Sequence, residues 1–173
     1  PCGNTAAGQT LLPMEDGFLR KVHLIVPRHK NLTLQLSRED GPLAGLILGA
    51  ATLTTESGYC EQSPPAWRAF DFGLMPIEGG MTYRLTLAGG VASTSCGEGH
   101  AGGQALTGTG ASIPFDDLLF KWVYRSPEPD ELIWGCTNPQ ACNYAPDATH
   151  DNGTCLSNDC NGDCGGVAYE IIG

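Results

Sequence analysis

Basic side chains are scarce in this sequence: nine Lys and Arg stand against nineteen Asp and Glu, giving a formal charge of -10. Affinity for nucleic acid comes from Lys and Arg meeting phosphates, so no nucleic-acid partner is expected. Long apolar runs are also lacking. The longest, around residues 44–51, falls far short of the roughly 20 residues needed to span a bilayer, and direct membrane insertion is not expected. Between residues 8 and 125 no stretch repeats its apolar positions with a 3.6-residue period, which argues against helices. Catalytic signatures are missing as well. Gly97-Glu98-Gly99-His100-Ala101-Gly102 matches G-x-G-x-x-G, but no strand-then-helix unit surrounds it and its acid is wrong for phosphate. His23, His29, His100 and His150 are scattered, with no nucleophile elbow or metalloprotease motif nearby. Asp116, Asp117 and Glu98 are candidates for a paired-carboxylate glycosidase, but their spacing does not set them apart from surface turns. The chain is therefore read as a non-enzyme. No secretory signal precedes Pro1, so the chain is expected to be a piece processed or cut from a longer precursor, or to start at an arbitrary boundary.

What the chain does have is distributed unevenly. Residues 128–173 hold Glu128, Asp130, Glu131, Asp147, Asp151, Asp159, Asp163 and Glu170 and no Lys or Arg, while the rest is nearly neutral. Cations are the expected partners of such a tail, although a solvated acidic linker would carry the same charge. Five of the eight cysteines also lie there, at Cys136, Cys142, Cys155, Cys160 and Cys164. A segment this polar cannot fold by burying apolar surface, so covalent bonds or metal ions must hold it. Plentiful Cys, Gly, Thr, Asn and Asp with little Lys suit a protein exported to an oxidising medium.

Strand patterns fill the first region. Phe18, Arg20, Val22, Leu24 and Val26 alternate with Leu19, Lys21, His23 and Ile25 until Pro27. Leu32, Leu34 and Leu36 alternate with Thr33, Gln35 and Ser37, and Glu39-Asp40-Gly41-Pro42 forces a turn. Residues 46–53 form a run that looks buried. Phe70 and Phe72 alternate in AFDFG, as do Met81, Tyr83, Leu85 and Leu87, and residues 118–124 form the last strand. Seven or eight short strands with Gly-rich turns indicate an all-β fold, an antiparallel β-sandwich of jelly-roll type. Three parts follow: a sandwich over 1–127, an acidic, Pro-containing linker over 128–134, and a Cys-rich module over 135–173.

The first region resembles a β-sandwich module of large secreted proteins of Bacteroidetes-type bacteria. The matching residues are AGQTLLPMEDGFLRKVHLIV, AWRAFDFG, IEGGMTYRLTLAG, AGGQALTG and DLLFKWVY. That resemblance implies a jelly roll similar to carbohydrate-binding modules. The second region, GCTNPQACNYAPDATHDNGTC followed by NDCNGDCGG, resembles a Cys-rich repeat of the same secreted proteins. Such repeats recur in tandem in long surface proteins, which implies that this chain is one unit of a larger one.

Within the tail, Asp159, Asn161 and Asp163 stand at positions 1, 3 and 5 of a calcium-loop pattern, with Glu170 at position 12. Cys164 occupies the place where an EF-hand needs Gly, so a short loop of the thrombospondin-like calcium kind is the expectation. Asp147, Asp151 and Asn152 would add oxygens. The alternative is a set of Asx-turns satisfied by their own backbone. A zinc site at Cys160, Cys164 and His150 is set aside in favour of disulfides. Cysteine counts are odd on both sides: Cys2, Cys60 and Cys96 before the linker, five after it. If all are oxidised, at least one bond must join the two regions or leave the chain. Cys60 with Cys96 is the natural bond within the sandwich, expected to contribute about 4 kcal/mol by loop closure. Cys2 would then meet the tail, its own or a neighbour's.

Sugar binding by a sandwich needs an exposed aromatic platform, for which Trp67 and Trp122 are the candidates. The opposing view packs Trp67 beside Phe70 and Trp122 with Phe120 and Tyr124. Taken together, these features describe a structural or adhesive module of a secreted, extracellular, surface-associated or filament protein. Disulfides and Ca2+ rigidify it, and its partners are neighbouring modules or identical subunits. A carbohydrate-binding module that anchors its parent to glycans is the alternative.

Overall fold

The structure is a computed structural model, and it describes residues 5–96, 105–107, 109, 116–118, 120–128 and 131–167. Among these, thirteen strands occur and no helix. In chain order they are β1 (Thr5–Ala6), β2 (Gly8–Leu11), β3 (Gly17–Val26), β4 (Leu32–Arg38), β5 (Ile47–Leu53), β6 (Ala66–Ile77) and β7 (Tyr83–Ala88). Then follow β8 (Ala92–Cys96), β9 (Ala105–Leu106), β10 (Asp116–Leu118), β11 (Phe120–Arg125), β12 (Trp134–Gly135) and β13 (His150–Asp151). The chain forms two compact units, Pro1–Ser126 and Pro127–Gly173.

In the first unit all pairings are antiparallel. A five-stranded sheet runs β5-β4-β7-β2-β9, a three-stranded sheet β11-β3-β6, and a smaller one β1-β8-β10. Two-residue alternation decides what is buried. Val22, Leu24 and Val26 of β3, Leu32, Leu34 and Leu36 of β4, Phe70 and Phe72 of β6, and Tyr83, Leu85 and Leu87 of β7 form one buried cluster. Side chains between them point to the opposite faces, as the pleat requires. β6 interrupts its pairing with β3 where Leu19 faces Met75 and Lys21 faces Asp71. The extra residues include Gly73 at φ 71°, a left-handed position open to glycine at little cost, and its N–H donates to Asp71 Oδ1 at 2.8 Å.

Two buried arginines tie loops to this core. Arg68 donates to the carbonyls of Pro27 at 3.1 Å and Thr54 at 2.5 Å, and its Nε lies 3.0 Å from Glu56 Oε1. It thereby gathers the segment after β3 and the segment after β5. Arg38 donates to Glu78 Oε2 at 2.8 Å, and Tyr83 Oη accepts the Glu78 N–H at 2.7 Å. Burial raises the Tyr83 phenol above its usual range.

Two sequence expectations for this unit need correction. The run at 46–53 looked buried, yet β5 is a sheet edge with only Ala51 fully buried and Leu46 and Ile47 51% and 54% exposed. An apolar run does not reveal how many strands flank it. The single strand expected at 118–124 is two, because β10 pairs with β8 while β11 pairs with β3.

In the second unit the apolar contribution is small: among its described residues only Leu132 and Cys136 are buried hydrophobics. β12 and β13 pair in parallel, and the Ile133 carbonyl accepts N–H groups from Thr149 at 2.9 Å and His150 at 3.1 Å. Ordered structure therefore begins inside the stretch read as linker.

Candidate functional site

The tail is built on two disulfides, Cys136–Cys155 and Cys142–Cys164, spanning 19 and 22 residues. Around them, short polar side chains cap the loop backbone. Asn138 Oδ1 accepts the Gln140 N–H at 3.0 Å, Asp151 Oδ1 the Gly153 N–H at 2.8 Å, and Asn152 Oδ1 the Thr154 N–H at 3.1 Å. These are Asx-turns, in which a side-chain oxygen replaces a backbone acceptor two residues away. Asn143 does more: Oδ1 accepts the Leu156 N–H at 2.8 Å and Nδ2 donates to the Thr154 carbonyl at 2.6 Å.

The calcium candidates sit in the same scheme. Asp159 Oδ1 accepts N–H groups from Asn161 at 2.9 Å and Asp163 at 3.0 Å. A Cβ placed at Gly166 would collide with the Asp159 carboxylate, so glycine lets the chain close over it. Asp151 lies on β13 with Oδ2 3.4 Å from the Thr137 hydroxyl, and Asp147 is exposed. Among the described residues, no three His, Cys, Asp or Glu side chains gather to hold a metal ion. Asp159 thus directs one carboxylate oxygen to the backbone of the loop that follows it. Cys164 is bonded to Cys142, so it is not available to zinc.

Disulfides therefore pair four tail cysteines with one another, and the fifth, Cys160, is exposed. The bond expected between Cys60 and Cys96 does not form. Cys60 is exposed and in no disulfide, held in its own turn by Ser63, whose Oγ accepts the Cys60 N–H at 3.1 Å and lies 3.6 Å from its sulfur. That hydroxyl, with nearby backbone, lowers the Cys60 thiol below its ordinary range. Cys2, Glu98, His100, Glu170 and the side chains of Cys96, Asp116, Asp117 and Phe120 lie outside the described residues.

In the first unit the tryptophans take opposite sides of one sheet. The register Ile25↔Trp67, His23↔Ala69 and Lys21↔Asp71, with Lys121↔His23, puts these residues on the face away from the core. Trp67 is 44% exposed there. Lys121 Nζ stands 4.9 Å from its ring centroid, a cation–π contact, and Lys21 pairs with Asp71 at 3.3 Å. The Gly73 N–H, then Lys21, hold the Asp71 carboxyl below its usual range. Trp122 is half-buried on the other face, packed against the core cluster with Tyr124 6.2 Å away. So Trp67 does not cap the core beside Phe70, whereas Trp122 and Tyr124 are neighbours as the packing view held. Sequence reading missed Lys121; strict alternation with Trp122 was the signal that placed it on the face of Trp67. It also missed the bridging role of Asn143, for which the sequence holds no separate sign.

Compared with family models, curated proteins and solved structures, the chain matches none.

Proposed function

We propose that this chain is a non-catalytic structural and adhesive module of a secreted bacterial cell-surface or extracellular filament protein. The observation that supports this best is the tail, a small polar unit whose order comes from two disulfides and side-chain-capped turns. Disulfides persist in oxidising surroundings, which fits an extracellular site, and no described helix is long and apolar enough to cross a membrane. The first unit gives the module its bulk. We read its five- and three-stranded sheets as the layers of a jelly-roll-type sandwich, because Leu34 and Leu85 of one share a buried cluster with Val22 and Phe70 of the other. The partners of such a module are neighbouring modules or identical subunits.

Calcium as a further stiffening agent rests on the Asp and Asn pattern alone. A thermal melt with added calcium and with chelator tests it, and an unchanged midpoint removes it. The module reading is tested by recovering the chain from its native source without reductant. It is expected in surface-exposed, high-mass material that reductant breaks down. A free monomer confined to the cell interior would overturn it.

One observation favours a second reading, a glycan-binding module: Trp67 offers an exposed ring on the sheet face away from the core. A sugar would compete with Lys121 for that ring. Specific binding on a glycan array, lost in Trp67→Ala and kept in Trp122→Phe, would support it; an array without signal would remove it.

A further inference from the structure

Asn152 and Asn161 are the two asparagines that glycine follows. That dipeptide is chemically fragile, because the glycine nitrogen can attack the side-chain amide carbon and no Cβ stands in its way. The structure treats the two sites differently. At Asn152 three hydrogen bonds converge on the atoms that would react. Asp151 Oδ1 accepts the Gly153 N–H at 2.8 Å. Asn152 Oδ1 accepts two bonds from Thr154, one from its N–H at 3.1 Å and one from its hydroxyl at 2.6 Å. The Asp151 carboxylate is itself steadied, since its Oδ2 lies 3.4 Å from the Thr137 hydroxyl. At Asn161 the arrangement is absent. The Gly162 N–H donates to the Asp159 carbonyl at 3.0 Å, a far weaker base than a carboxylate, and no described residue donates to the Asn161 amide oxygen.

We propose that the tail modifies itself at Asn152, which deamidates through a cyclic imide with Asp151 and Thr154 assisting. Gly153 N bonds to Asn152 Cγ and passes its proton to Asp151 Oδ1, which lies within the reach that a general base needs. The electron pair of the amide C=O moves onto Oδ1, where the two Thr154 donors stabilise the charge as an oxyanion hole does. Collapse of that intermediate breaks the Cγ–Nδ2 bond, and Nδ2 takes the proton from Asp151 and leaves as ammonia. Water then opens the imide on either side, leaving aspartate or its β-linked isomer in place of Asn152. The one other reactant is therefore water, to which Asp151 is exposed. Either product carries one more negative charge than before. The β-linked form also lengthens the backbone by a methylene inside the loop that Cys136–Cys155 closes. This chemistry belongs to the tail alone and rests on neither functional reading above.

The test is to age the full oxidised chain at neutral pH in heavy-oxygen water, then reduce it and cleave it with chymotrypsin. Cuts after Tyr144 and Leu156 place Asn152 and Asn161 in different peptides. Mass spectrometry should show the Asn152 peptide gaining label several-fold faster than the Asn161 peptide. Reducing and alkylating the chain before ageing should abolish that excess, because the loop geometry is then lost. Asp151→Asn keeps an acceptor for the Gly153 N–H but no base, and Thr154→Val removes the hydroxyl donor. Each should bring the Asn152 rate down toward that of Asn161. The Asn161 rate should stay as it was in both variants, which shows that the tail remains folded. Equal rates at the two sites in the oxidised chain overturn the proposal. So does an excess that survives reduction, which would belong to the local sequence alone, or one that neither variant lowers.

Discussion

Asn143 holds the backbone at Leu156 from across the tail: its Oδ1 accepts the Leu156 N–H at 2.8 Å, and its amide donates to Thr154 two residues earlier. One side chain thus closes both hydrogen-bonding directions of a segment that belongs to no sheet. Cys142, its chain neighbour, donates its own N–H to the Leu156 carbonyl at 3.0 Å, so covalent and polar links meet at one point.

Asn143→Ala should therefore loosen the tail by about 1 kcal/mol, the usual net worth of such bonds. Amide exchange checks this. The Leu156 N–H should exchange faster, and Asn143→Asp, which keeps the acceptor and loses the donor, should fall between.

Reduction should unfold the second unit and spare the first. Each tail disulfide closes a loop of about 20 residues, worth about 3 kcal/mol on the chain-entropy model, more than the small apolar contribution there can replace. The prediction is that Cys142→Ser with Cys164→Ser, or thiol reductant, collapses the NMR dispersion of residues 131–167. Signals from β3, β4, β6 and β7 should persist.

Arg68→Met should cost on the order of 3 kcal/mol, since it leaves loop carbonyls and Glu56 without their buried donor. A denaturant midpoint measures the loss. Arg68→Lys should not restore it, because one ammonium lacks the planar fork that reaches Pro27, Thr54 and Glu56 together.

Cys60 should alkylate as a lowered-pKa thiol. Ser63 stabilises the thiolate, so the pH midpoint of iodoacetamide labelling should lie below that of an ordinary cysteine. Removing the hydroxyl in Ser63→Ala should move that midpoint upward. No shift between the two proteins would refute the role given to Ser63.

Alternation made β3, β4, β6 and β7 readable from the sequence, because each buries one face and a slip of one residue would invert it. β5 was misread for a related reason. Its residues are apolar enough for a central strand, and only pairing partners distant in sequence decide that it lies at an edge. The tail was readable as a disulfide-held, polar unit, since nothing there can form a core. Its connectivity was not, because spacing does not choose among the pairings of eight cysteines. Asp159, Asn161 and Asp163 illustrate the remaining gap: the same residues that spell a calcium loop also spell an Asx-turn. Only the positions of the backbone N–H groups show where the Asp159 oxygen is directed.

The Ile133 carbonyl carries a practical lesson for anyone who excises or transplants the Cys-rich segment. A fragment cut at the first residue of the recognisable motif, Gly135, would discard the acceptor of the Thr149 and His150 N–H groups and the Trp134 half of the parallel β12–β13 pair. All its cysteines would remain, with the Cys136–Cys155 bond and the Gly135 carbonyl still holding its start, but the Thr149 and His150 N–H groups would lose their acceptor. The transferable cassette starts upstream, at Pro127, where the compact unit itself begins.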